Sequence, residues 1–322
     1  MSKFINPFTD VGFKIIFGQE VNKDLLIDFL NQLLKGEYEV TDLTFADKEM
    51  HGASVNDKSC IYDIFCKTSK GEMIIVEMQN SRQVFFRDRA VYYVSKAVAS
   101  QGRRGGGWNY DLKAVIGIFF MNFVMERELS AEGPVPARGA KFRTDVVLAD
   151  KEDGAPFSDK IRMIFLQLPL FAKARAEECE TDFERWIYIL KHMETLDRMP
   201  FEAKKAVYAR LAEICASAKL SAKDRDKYEA SLKAYRDATA LQYYYDNAES
   251  LAFARGEARG EARGEARGMA QGMAQGIAQG EAQGESKAKA SIAKTLYQMG
   301  MPVAKIAEVT SLTEAEVQAI LR

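Results

Sequence analysis

Histidine is almost missing from this chain: His51 and His192 are the only two in 322 residues. Cysteine is nearly as sparse. Cys60, Cys66, Cys179 and Cys215 form no CxxC pair, which with two histidines argues against a structural zinc site. Scattered thiols suit a reducing cytosol, so a cytoplasmic setting is expected. No apolar run is long enough to cross a bilayer. The longest, Ala114 to Met125, is interrupted by Asn122. The opening Met1-Ser2-Lys3-Phe4-Ile5-Asn6-Pro7 lacks the apolar segment of a signal peptide, and no membrane partner is expected. An excess of one charge is lacking too. The formal net charge is −1, so any contact with nucleic acid must come from local patches. What is present, 47% hydrophobic and 28% charged residues, describes a soluble globular chain long enough for one substantial core with appendages.

The informative feature is a pair of acids inside apolar runs. Asp63 sits in Cys60-Ile61-Tyr62-Asp63-Ile64-Phe65-Cys66, and Glu77 in Met73-Ile74-Ile75-Val76-Glu77-Met78-Gln79. Ser69-Lys70-Gly71 between them reads as a turn, so the two runs predict a hairpin with a carboxylate in each strand. A carboxylate in an apolar strand is costly unless a cation or metal pairs with it. Gln79 shares a face with Glu77 by the two-residue period of a strand. The pattern looks like half of an oxygen cage for a hard cation.

Around this pair the chain alternates. Residues 8–36 predict one or two helices stopped at Gly36, followed by a strand near Val40 to Phe45. Residues 83–101 predict a helix, and Gly102 to Gly107 a Gly- and Arg-rich loop. Leu112 to Phe123 is apolar enough to need both faces covered. Phe142 to Leu148 and Ile161 to Leu168 are further strand candidates. The order predicts an α/β mixed sheet flanked by helices. From Thr181 onward the spacing turns helical, with a last helix expected from Ser221 to Phe253.

From Arg255 the sequence repeats every four residues. Glycine recurs from Gly256 to Gly284, with Arg255, Arg259, Arg263 and Arg267 and then Gln271, Gln275, Gln279 and Gln283 opening the units. On a helix each unit advances about 400°, so any stripe drifts by about 40° per unit. Arginine and glutamate, two apart, lie on nearly opposite faces and cannot pair within one helix. Each glycine costs about 1 kcal/mol relative to alanine, so the isolated helix is marginal. Two readings stand side by side: a close-packed helical stem that joins several copies through a Gly/Ala stripe, and a tethering spacer. The final segment predicts three short helices, with Thr313 and Glu316 forming a capping box. It reads either as a helix-turn-helix unit or as a small dimer module. The expected divisions are 1–175, 176–253, 254–286 and 287–322.

The segment Asn6-Pro7-Phe8-Thr9-Asp10-Val11-Gly12-Phe13-Lys14-Ile15-Ile16-Phe17-Gly18 resembles the opening of the PD-(D/E)XK nuclease family transposases, also called recombination-promoting nucleases. The resemblance continues through Asp63, Glu77-Met78-Gln79, Arg89-Ala90-Val91-Tyr92-Tyr93, Gln101 and Tyr110-Asp111-Leu112-Lys113-Ala114-Val115-Ile116-Gly117-Ile118. It covers the first half to two thirds of the chain. It implies a restriction-endonuclease-like core and metal-dependent hydrolysis of DNA phosphodiesters in recombination or transposition. The lysine expected two residues after the glutamate in the wider superfamily is Gln79 here, as looks usual within this subfamily.

On that resemblance Asp63, Glu77 and the Met78 carbonyl are assigned to Mg²⁺, with Mn²⁺ as an alternative. Gln79 cannot act as a base, so its amide is assigned to orienting water. Lys14 is the candidate to replace the missing lysine, held by Asp10 four residues earlier on one helix face. For DNA contact the candidates are Arg89, Tyr93, Lys96, Gln101, Arg103 and Arg104, a row suited to phosphates. Two other functions compete with the endonuclease. One is a catalytically weak DNA-binding or regulatory oligomer of the same fold. The other is an assembly protein whose repeat stem or terminal unit makes a homo-oligomer.

Overall fold

The computed structural model describes residues 2–47, 49–50, 60–102, 109–125, 127–130, 133–201 and 204–322. His51, Arg103 and Arg104 fall outside them. By its contacts the chain divides into two units, residues 1–250 and 251–322.

The N-terminal motif builds a cap. Thr9 Oγ1 donates to the Asn6 carbonyl at 2.9 Å and accepts from the Gly12 N–H at 2.9 Å, which starts helix α1, Asp10–Phe17. Helix α2, Lys23–Leu33, follows, and the chain leaves it through Gly36, whose φ of +86° suits glycine. The strands then come in order: β1 Leu43–Phe45, β2 Glu49–Met50, β3 Cys60–Ile61, β4 Ile64–Thr68 and β5 Met73–Gln79. The turn between β4 and β5 contains Gly71 at φ +90°, as its sequence predicts. Helix α3, Phe86–Ala99, carries the chain over to β6, Val115–Met121. After β7, Arg127–Ser130, and β8, Gly133–Pro136, come β9, Arg143–Ala149, and β10, Pro156–Gln167.

Six strands form one mixed sheet in the order β1-β4-β5-β6-β10-β9. The three central strands β5, β6 and β10 run parallel, and the outer pairings are antiparallel. The β5–α3–β6 crossover is the parallel unit that a mixed sheet with a helical connection requires. All seven residues of β6 are buried, in keeping with its unbroken apolar run. Two short hairpins, β2 with β3 and β7 with β8, lie outside this sheet and were not expected from the sequence.

The run Cys60 to Cys66 is not the single strand that its composition predicts. Cys60 and Ile61 pair with β2, whereas β4 starts at Ile64 and pairs with β1 and β5. Asp63 sits at the break. Its backbone N–H goes to the Glu77 carboxylate at 3.1 Å and not to a ladder carbonyl, so the strand cannot continue through it.

Helices cover both sheet faces. On one, Phe13, Phe17, Phe29, Phe120 and Trp186 pack ring against ring at centroid separations of 5.3–6.3 Å. Trp186 belongs to α4, Asp182–His192. Together with α5, Ala206–Ile214, α4 buries its apolar face in this same core. On the other face α3 places Phe86, Ala90, Val94 and Ala97 over Val115, Phe119 and Phe165. Gly117 lets it come close: a Cβ there would lie 2.8 Å from Val94 and Phe119 side-chain atoms. All four cysteines are free and buried.

Helix α6 runs from Ala222 to Gln298 without a break, 77 residues that include the whole repeat. Apart from the helix's own neighbouring backbone, no atom lies within 4 Å of a Cβ built on any repeat glycine. In the second unit the end of α6 serves as the first of the three expected terminal helices. It is followed by α7, Val303–Thr310, and α8, Glu314–Leu321, with a small core of Ala293, Ile306, Ala307 and Val317. The predicted capping box is present: Thr313 Oγ1 accepts from the Glu316 N–H while the Glu316 carboxylate accepts from the Thr313 N–H. Among the described residues no helix is long and apolar enough to cross a membrane.

Candidate active site

The two acids meet at the carboxyl end of β5, where open α/β sheets place their ligands. Met73 and Ile75 face α3, so the two-residue period carries Glu77 and Gln79 onto the same face. Asp63 lies opposite Glu77, one residue before the Ile64–Val76 pair. Each acid is braced by the other's strand. Asp63 Oδ2 accepts from the Met78 N–H at 2.8 Å, and Glu77 Oε1 accepts from the Asp63 N–H at 3.1 Å. Two backbone donors that would otherwise belong to the ladder therefore hold the carboxylates.

Glu77 is only 2% exposed. Burial pushes its carboxyl up to about 8, and the neighbouring Asp63 charge adds to the rise. Asp63 is raised too, first by burial; the Met78 N–H and the charge of Lys14 pull it back. Lys14 and Arg89 act on the pair only through space and leave both carboxyls raised. Among the described residues no group of three or more His, Cys, Asp or Glu side chains forms a metal site. The site therefore offers two carboxylates and nearby backbone oxygen. This hard, incomplete donor set suits a small divalent ion that retains several waters.

Asp10 and Lys14 pair at 2.6 Å across one turn of α1, as their spacing predicts. Both act on the Asp63 carboxyl through space, Lys14 lowering and Asp10 raising it. Asn80 ties α1 to this place, donating from Nδ2 to the Phe8 carbonyl at 2.6 Å.

Gln79 opens a chain of side-chain hydrogen bonds. Its Nε2 donates to Glu77 Oε2 at 3.4 Å, and its Oε1 accepts from Gln83 Nε2 at 3.2 Å. Gln83 Oε1 accepts from an Arg89 terminal nitrogen at 3.0 Å, and the other Arg89 terminal nitrogen donates to the Tyr93 hydroxyl at 3.0 Å. Gln83 was not among the residues expected from sequence, because it lies beyond the strand and outside any periodic pattern. Its only signal is its spacing of four from Gln79 and six from Arg89.

The remaining candidates separate. Lys96 lies over the Tyr92 ring at 5.7 Å. Gln101, near the end of α3, spends both ends of its amide on Lys113: Nε2 donates to the carbonyl at 3.0 Å and Oε1 accepts from the N–H at 2.8 Å. This clamp fixes the α3–β6 connection, so Gln101 is not gathered with the acids. Arg103 and Arg104 lie outside the described residues.

No curated protein and no solved structure matches the chain. The sequence model of one family, PD-(D/E)XK nuclease family transposase, matches residues 7–244, a span holding the cap, both acids, α3 and the start of α6. The paired acids at the end of a mixed sheet and this match agree, and the chain belongs to the PD-(D/E)XK nuclease family transposases.

Proposed function

We propose that the protein is a metal-dependent DNA endonuclease that hydrolyses phosphodiester bonds, and that Asp63 and Glu77 are its essential acids. One observation carries this reading: a buried carboxylate, Glu77, beside a half-buried one, Asp63, each held by a backbone N–H at the other's position and offset only through space by the charges of Lys14 and Arg89. Membership in the family supports a nuclease-like, recombination-associated role. Four free thiols are compatible with a cytoplasmic setting.

Asp63, Glu77 and the Met78 carbonyl would hold Mg²⁺ or Mn²⁺. Such an ion, when bound, acidifies water and neutralises charge gathering on the phosphate oxygens. The protein's part is positional. Gln79 holds Glu77 in place through its Nε2 and is itself held by Gln83, so the carboxylate keeps one orientation. Lys14, oriented by Asp10, supplies positive charge on the Asp63 side of the site, where a phosphate needs it. Arg89 and Lys96 place further positive charge along α3 for neighbouring phosphates.

The test is supercoiled plasmid incubated with purified protein in Mg²⁺, in Mn²⁺ and in EDTA, beside Asp63→Ala and Glu77→Ala. Metal-dependent cleavage lost in both variants is the expected result. A folded wild type that shifts DNA mobility without nicking it in either metal would favour the catalytically weak, regulatory reading.

A further inference from the structure

The hydrogen-bond chain that starts at Glu77 ends in a cavity. Three side-chain hydrogen bonds lead from Glu77 through Gln79 and Gln83 to Arg89. Arg89 and Tyr93 then line a cavity of about 790 Å³ together with Val84, Phe85, Asp88 and Tyr92. We propose that this cavity receives a single unstacked nucleobase of the DNA strand, next to the phosphate that is cut, and that the enzyme therefore prefers DNA with an unpaired nucleotide. The inference rests on the DNA reading of the adjacent acids.

Arg89 apart, its lining suits a base better than a phosphate. Val84 is 91% exposed and Phe85 73%, at the point where α3 begins. Two large apolar side chains left in water beside a charged site call for an occupant with an apolar face. Tyr93 is fixed by Arg89, whose guanidinium lies 4.9 Å from the ring centre, and by an edge-to-face contact with Tyr62 at 5.3 Å. Stacking on such held rings is the usual recognition of single-stranded bases. Asp88 contributes a carboxylate to the same wall. It repels a phosphate, but it accepts from the exocyclic amine of adenine or cytosine, which thymine lacks.

Inside a duplex a base cannot reach this wall. Val84 and Phe85 are placed to act as the apolar wedge that takes up the vacated stacking surface. Unstacking costs a few kcal/mol and least where the base is already unpaired, so DNA with one unpaired nucleotide should bind more tightly.

The experiment uses full-length Asp63→Ala protein, which separates binding from cutting. Fluorescence anisotropy compares a perfect duplex, the same duplex with one unpaired adenine, and one with an unpaired thymine. The expected result is binding to the unpaired adenine about tenfold tighter than to the duplex. Adding Phe85→Ala, a change at an exposed residue, should abolish this difference, so that the unpaired adenine binds no tighter than the duplex. Adding Asp88→Asn should level adenine against thymine. Equal affinity for all three DNAs, or a difference that survives Phe85→Ala, overturns the inference. Metal-dependent plasmid cleavage without this preference would remove the base pocket alone. The preference without cleavage would remove the nuclease reading alone. Failure of the Asp63→Ala protein and of the wild type to bind any DNA would remove both readings.

Discussion

Glu77 is an acid from which most water has been withdrawn. Its carboxyl, normally near 4.5, is pushed up to about 8 by burial and by Asp63. Between those two values the native protein binds more protons than the unfolded chain, so stability falls as pH rises through that window and levels off beyond it. Asp63, also raised, acts in the same direction. Thermal melting of the metal-free protein from pH 5 to pH 8 should show this fall, and Glu77→Gln should flatten most of it. On the proposed function, metal binding would displace the same proton, so Mg²⁺ affinity measured by calorimetry should rise with pH up to about 8. At this scale the two acids were legible in the sequence, because a carboxylate within an apolar run is an anomaly that can be seen without a structure. Gln83 was not. Its role depends on α3 bringing Arg89 back beside the end of β5, a long-range event that leaves no local pattern.

Among the elements, the cap of α1 explains why the N-terminal motif contains glycine. A Cβ at Gly12 would lie 2.1 Å from the Asn6 carbonyl oxygen and 2.6 Å from Thr9 Oγ1, both fixed by the cap. Gly12→Ala should therefore cost about 3 kcal/mol, read as a lowered urea midpoint, and should weaken cleavage by moving α1 with Lys14. The repeat glycines behave in the opposite way. Nothing surrounds them, so replacing all eight with alanine should raise helix content and thermal resistance by circular dichroism, at up to about 1 kcal/mol per site. If the glycines touch a second copy, the same protein should lose association in sedimentation; a spacer should keep it unchanged. The buried β6 was legible because seven consecutive apolar residues have few other homes. The split of Cys60 to Cys66 into two strands was not, since pairing partners far along the chain decide where a strand ends. The continuity of α6 was only half legible, because helix propensity counts against it at every fourth residue.

For the molecule as a whole, the contacts of the site among the described residues lie within the restriction-endonuclease-like unit. Its N-terminal motif is also secured by the start of α6: the Tyr228 hydroxyl accepts from the Asn6 N–H at 2.7 Å, and Ser231 Oγ accepts from the Val11 N–H at 3.2 Å. A chain ending at Ser250 should cut plasmid at the full-length rate, whereas one ending at Leu220 should lose both Asn6 anchorage and activity. The comparison would separate catalysis from whatever the second unit contributes. The buried thiols provide a further way to follow the molecule. Burial pushes Cys66 up to about 12 and Cys179 up to about 11, and raises Cys60 and Cys215 as well. A thiol held protonated and out of contact with solvent reacts with an alkylating reagent only when its surroundings open. The chain thus carries four built-in clocks, one beside the acids, one in the sheet and two among the helices, and the alkylation rate of each would time the opening of its own neighbourhood without any engineered label.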